Sequence, residues 1–116
     1  MAEFPRLFGD TRALVDIDST TGRERQIGEL LVQRLAEIAP ERGLVERMPV
    51  EGDRFNVFAS WGEPTVVLTT HMDAVPPFFP SSETADAIRG RGACDAKGIA
   101  AAMISAIEAL VAERHS

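Results

Sequence analysis

Cysteine is nearly absent from this 116-residue chain, with Cys94 the single one. One thiol excludes a disulfide framework and any Cys-rich zinc module. An excess of positive charge is absent too. Lys and Arg number 12 against 18 Asp and Glu, for a net charge of −6. That balance argues against non-specific nucleic-acid binding, which needs cations to meet the phosphates. No apolar run approaches the roughly 20 residues of a membrane span. The opening residues, Met1-Ala-Glu-Phe-Pro-Arg6, lack the basic and apolar regions of a signal peptide. Internal repeats and low-complexity segments are missing as well. The expectation is a soluble cytoplasmic domain with neither nucleic acid nor membrane as a partner. Its 45% hydrophobic and 26% charged residues are ordinary for a globular protein. Its length allows one domain at most, with a core burying roughly two thirds of the unfolded surface.

What is present is an α/β pattern. Apolar residues at Phe4, Leu7, Phe8, Leu14 and Val15 predict a short amphipathic helix over Phe4 to Asp16. Asp18-Ser-Thr-Thr-Gly22 is a loop of turn and cap residues. Thr21 and Glu24 have capping-box spacing, so a second helix should begin near Gly22 or Arg23. Its inner face is Ile27, Leu30, Leu31, Leu35 and Ile38. Its outer face is Arg25, Glu29, Gln33, Arg34 and Glu37. Pro40 and Gly43 should end it. Leu44 to Val50 reads as an edge strand limited by Pro49, Gly52-Asp53 as a turn, and Phe55 to Ala59 as the next strand.

The central stretch is Thr65-Val-Val-Leu-Thr-Thr-His-Met-Asp-Ala-Val-Pro-Pro77. Val66 to Thr70 is a β-branched, apolar run that suits a buried third strand, and the two prolines cannot continue it. His71 and Asp73 would then leave the strand on the same face, since residues i and i+2 project together in an extended backbone. Ala74 to Thr84 reads as a loop whose Phe78 and Phe79 want cover, and Ala87 to Arg89 as a short strand. A last helix should run from about Ala96 to Glu113. From Ile99 to Ala112 only Ser105 and Glu108 are polar, so it should be buried on most sides. The rest of so short a chain can hardly cover both flanks, and an α/β pattern would start another strand near Ser116. The chain therefore reads as a fragment of a longer protein.

Three residues carry candidate chemistry. A neutral His71 imidazole is a good zinc ligand, and Asp73 could hold its other ring nitrogen. The plainer reading is a polar loop pair bonded to backbone. Asp95 could bridge two cations with its four acceptor sites, or simply cap the last helix. Gly90, Gly92 and Gly98 would let the backbone turn tightly and approach the site. They do not make a dinucleotide fingerprint, because Asp95 stands three beyond Gly92. They do not make a P-loop either, because Lys97 precedes Gly98. Cys94 has no paired His at a recognisable spacing and reads as a small buried residue. Lys97 reads as the partner of a nearby carboxylate. His115 lies too far along the last helix to join the Asp95 site.

Thr70-His-Met-Asp-Ala-Val-Pro76 followed by Gly90-Arg-Gly-Ala-Cys-Asp-Ala-Lys-Gly98 resembles the di-zinc hydrolase family of aminoacylase, acetylornithine deacetylase, succinyl-diaminopimelate desuccinylase and glutamate carboxypeptidase. Ser19 to Glu24 also resembles the family's first loop and helix start. The resemblance implies an α/β, incomplete three-layer zinc-binding domain with a mixed central sheet flanked by helices. Residues 1–116 would be the N-terminal part of the catalytic domain, without its remainder and without a dimerisation domain. His71 matches a ligand of one zinc, and Asp95 the carboxylate bridging both. Asp73 matches the catalytic-site Asp that orients the ligand His. The Asp95–Ala96 peptide bond matches one that is cis in the family. Two zinc ions are implied for the full-length protein, with cobalt or manganese as substitutes, and a homodimer. The substrate would be an N-acyl amino acid or small peptide bearing a carboxylate, cleaved by a zinc-activated water. The general base and remaining ligands lie beyond Ser116, so the chain alone is expected to be inactive. The alternative is a non-catalytic binding module whose apolar last helix docks on a partner.

Overall fold

The computed structural model describes residues 6–38 and 43–114. Its elements are α1 (Leu7–Val15), α2 (Arg25–Ala36), β1 (Gly43–Glu51), β2 (Arg54–Trp61), β3 (Ser82–Glu83), β4 (Ile88–Arg89) and α3 (Gly98–Arg114). This is a mixed α/β chain. Among the described residues its strands form two separate antiparallel pairs, β1 with β2 and β3 with β4.

The helices form where the apolar spacing places them. Helix α1 buries Leu14 and Val15; Phe4 lies outside the described residues. Helix α2 buries Ile27 and Leu31, and Ile38 just beyond it is buried too. These side chains meet Leu14 from α1 and Ala100, Ala101 and Ile104 from α3 in one core. Pro40 lies outside the described residues; the helix has already ended at Ala36.

Two details of α2 differ from the sequence pattern. The helical phase puts Arg34 on the outer face, yet it is buried. Its guanidinium bonds Asp10 of α1 at 3.1 Å and Glu108 of α3 at 3.1 Å. Periodicity places a charge outward only while no partner waits inside, and here two carboxylates do. The capping box is not reciprocal. The Glu24 carboxylate accepts the Gly22 N–H at 2.9 Å and forks onto Arg54, while the Thr21 hydroxyl turns away to Asp73.

The β1–β2 hairpin pairs Gly43 with Trp61 through to Pro49 with Phe55, and its register slips between Pro49 and Glu51, next to the Gly52-Asp53 turn. Val45, Arg47 and Pro49 therefore share a face with Ala59, Val57 and Phe55. That face lies on α2. Arg47 bonds both oxygens of Glu29, and the Trp61 indole donates to the Ile38 carbonyl at 2.8 Å. Gly28 is what lets Phe55 come so close. A Cβ there would lie 2.8 Å from the ring.

The third strand does not form. Residues 66–70 carry no ladder, and Val66 and Val67 are 74% and 82% exposed. A strand needs a neighbouring backbone for its N–H and C=O groups, and β2 pairs with β1 alone. Leu68, Thr69 and Thr70 instead face Phe55, Val57 and Trp61 across an open cleft of about 630 Å³.

The following loop turns at a cis Pro76–Pro77 bond. Its aromatic pair is only partly covered. Arg91 stacks 4.9 Å from the Phe79 ring centre and donates to the Pro77 carbonyl at 2.9 Å. The short strand expected at Ala87 to Arg89 is β4. Helix α3 buries Ala100, Ala101, Ile104 and Ser105 on one flank, while Ile99 and Leu110 stay exposed. Burial on most sides is therefore not reached, because this chain covers a single flank. No helix among the described residues is long and apolar enough to cross a membrane.

Candidate functional site

The site is assembled by a loop that comes early in the sequence. Residues 17–21 lie between α1 and α2. The Ser19 carbonyl accepts the Ala74 N–H at 2.9 Å, and the Ser19 hydroxyl donates to the Met72 carbonyl at 2.8 Å. Thr20 and Ala74 form an isolated parallel bridge. The backbone around Asp73 is thus fixed without a strand ladder.

Asp73 holds His71. The Asp73 carboxylate lies 3.2 Å from His71 Nδ1, and its backbone carbonyl lies 3.1 Å from the same nitrogen. The other ring nitrogen, Nε2, is 2.8 Å from Asp95 Oδ1. Both ring nitrogens therefore face oxygen acceptors, and the imidazole pKa is raised. The hydrogen bond with Asp95 is the main cause, opposed by partial burial and aided by the Asp73 carbonyl. His71 is about half exposed and the Asp95 side chain is 85% exposed. Asp95 therefore keeps an oxygen open to solvent.

Asp95 reaches this position through a wide turn, Ala93–Lys97, in which Asp95 and Ala96 leave helical φ/ψ. The Asp95–Ala96 bond is cis, as the resemblance implied. The carboxylate goes to His71 rather than capping α3. Gly92 opens the turn at φ +85°, and a Cβ there would press on Lys97 Cδ at 3.2 Å and the Ala74 Cβ at 3.3 Å.

Lys97 and Cys94 depart from the sequence reading. Lys97 is 1% exposed, and its ammonium donates to the Ile17 carbonyl at 2.8 Å rather than to a carboxylate. Burial pushes its pKa down, against the pull of Asp18 and Asp16. Cys94 is exposed, not buried, because the turn that places Ala96 and Lys97 inside points Cys94 out. His115 lies outside the described residues. Sequence reasoning missed Ser19, Thr21 and Lys97 as parts of the site. The available signal was the polar run from Asp18 to Thr21, longer than a two-residue turn requires.

Does this donor set suit a metal ion? In kind it does, with one imidazole nitrogen, one carboxylate, and a second carboxylate behind the imidazole. In number it is short. Among the described residues, no group of three or more His, Cys, Asp or Glu side chains is placed to hold an ion.

Comparison with known proteins follows the same residues. Residues 67–116 match the family model described as Peptidase family M20/M25/M40. The chain fits the M20 metallohydrolase family. It is 42% identical over 112 residues to a probable carboxypeptidase of Emericella nidulans, covering 85% of this chain and 26% of that protein. It is 38% identical over 111 residues to a probable carboxypeptidase of Aspergillus terreus, covering 82% and 25%. A probable carboxypeptidase of Aspergillus clavatus is 33% identical over 119 residues, covering 89% and 28%. The chain thus spans about a quarter of the length of the curated relatives it matches. No solved structure matches it significantly.

Proposed function

We propose that this chain is the N-terminal part of the catalytic domain of a metal-dependent hydrolase acting on the amide bond of small peptides or N-acyl amino acids. The observation that carries this reading is the meeting of His71 Nε2 and Asp95 Oδ1 at 2.8 Å, with Asp73 behind the imidazole. Relatives named probable carboxypeptidases support an exopeptidase that recognises a free carboxylate. In the complete protein the residues described here would take their place in a three-layer domain. Further chain would fill the cleft beside β2 and the bare flank of α3, and a dimerisation domain would support a homodimer.

The division of labour follows from chemistry. His71 offers Nε2 once its proton leaves, while Asp73 keeps the proton on Nδ1 and so fixes the tautomer. Asp95 supplies negative charge and a second oxygen able to bridge to a neighbouring cation. When bound, zinc (or cobalt or manganese in its place) supplies Lewis acidity toward the amide carbonyl and an acidified water. Among the described residues no group of three or more His, Cys, Asp or Glu side chains is placed to hold an ion. The 116 residues alone are therefore expected to be inactive, with base and remaining ligands contributed by further chain. The test is hydrolysis by the protein at the length of its relatives. N-acyl amino acids and dipeptides should be cleaved, their C-terminal amides poorly, and a chelator should abolish turnover until zinc is restored. Turnover unaffected by chelator would contradict the proposal.

A further inference from the structure

His71 and Asp73 stand on a segment with no ladder of its own, yet the Asp73 carboxylate is held at both oxygens. Oδ1 lies 3.2 Å from His71 Nδ1, and Oδ2 accepts the Thr21 hydroxyl at 3.1 Å. The backbone on either side is held as well. Ser19, 1% exposed, grips the Met72 carbonyl through its hydroxyl and the Ala74 N–H through its carbonyl. The gripping loop is itself braced. Asp18 Oδ1 accepts both the N–H and the hydroxyl of Thr20, and Asp18 Oδ2 meets Arg23 at 3.1 Å. Lys97, two residues beyond Asp95, reaches the same loop at the Ile17 carbonyl. One loop therefore touches both arms of the His71–Asp95 pair.

We propose that Thr21 and Ser19 are positioning residues for the His71 arm of this metal centre. The inference rests on the metal-dependent reading above and deepens it. His71 Nδ1 rests on the Asp73 carbonyl at 3.1 Å and on its carboxylate at 3.2 Å, and without a second bond the carboxylate half of that seat could rotate. Thr21 removes that rotation, and Ser19 removes the drift of the backbone beneath it. Outer partners of this sort affect metal affinity through the orientation of the ligand.

The test is cobalt(II) titration, followed by visible absorption, of the protein at the length of its relatives, as wild type and as Thr21→Val, Thr21→Ser, Ser19→Ala, His71→Ala and Asp95→Ala. Thermal melting without metal and the ring-nitrogen chemical shifts of His71 complete it. Thr21→Val should weaken cobalt binding by about tenfold, with a wild-type melting temperature and a His71 ring signal that reports mixed tautomers. Thr21→Ser, which keeps the hydroxyl, should restore both. Ser19→Ala should weaken binding and also lower the melting temperature, because the Met72 carbonyl loses its partner. If Thr21→Val binds as wild type does while His71→Ala is impaired, the positioning role is wrong and the metal reading stands. Equal weakening in Thr21→Val and Thr21→Ser would also overturn it, since the hydroxyl would then be irrelevant. If His71→Ala and Asp95→Ala bind unchanged, the metal reading itself fails.

Discussion

His71 Nε2 and Asp95 Oδ1 meet at 2.8 Å although 24 residues separate them in the chain. Neither sits on a regular element. His71 is placed by the 17–21 loop, and Asp95 by the turn that Gly92 opens. The relationship therefore depends on backbone details remote from both side chains, and these can be changed one at a time.

Gly92 is one such detail. Its φ of +85° disfavours any residue with a Cβ, and the added atom would also press on Lys97 and Ala74. Gly92→Ala should destabilise the chain by roughly 1–2 kcal/mol from the left-handed backbone alone. Urea denaturation checks this through a lowered midpoint at unchanged slope. An unchanged midpoint would mean that the turn does not hold this conformation.

Arg34 is the tie among the three helices. It is buried between Asp10 and Glu108, and removing it leaves Asp10, itself only 16% exposed, without its cation. Breaking a buried pair from one side costs about 3–5 kcal/mol, and the lower end applies because Glu108 is partly solvated. Arg34→Ala should therefore lower stability by about 3 kcal/mol in urea or thermal unfolding. Arg34→Lys should recover only part, since one ammonium cannot fork to two carboxylates. A loss below about 1 kcal/mol would place this residue among ordinary surface ion pairs.

Asp16 gives a pH dependence with a definite sign. Its carboxyl pKa is lowered, first by the Ser81 backbone N–H at 2.7 Å and then by the Ser81 side chain. A group with a depressed folded pKa stabilises fully above its unfolded value and loses that share as pH falls through its folded value. Wild type should therefore exceed Asp16→Asn in melting temperature at pH 7, and the gap should close below about pH 4. A gap of equal size at pH 7 and pH 3 would contradict the assignment.

Much of the fold was legible because local rules and global packing agree over most of the chain. The spacing of Ile27, Leu31 and Ile38 marks a buried helical face, and the turn residues Gly52 and Asp53 mark the hairpin. Legibility failed where a residue's fate depends on a distant partner. Val66 to Thr70 has strand composition, but a strand requires a neighbour that these residues do not find. Arg34 has an outward phase on its helix, but Asp10 and Glu108 draw it inward from two other helices. Ser19 looks like a turn residue and Lys97 like the partner of a nearby carboxylate, and both are buried by contacts 53 and 80 residues away in the chain. The spacing of His71 and Asp73 did indicate a shared face, and they do meet at 3.2 Å, though in a loop rather than at a strand exit.

The proposed metal centre takes two of its ligands from His71 and Asp95. Calorimetric zinc titration of the chain tests it most directly, with His71→Ala, Asp95→Ala and the double variant beside wild type. The wild-type chain should bind zinc weakly, each single variant should lose that binding by at least about tenfold, and the double variant should be little worse than either. Zinc binding of equal strength in all four proteins would contradict it.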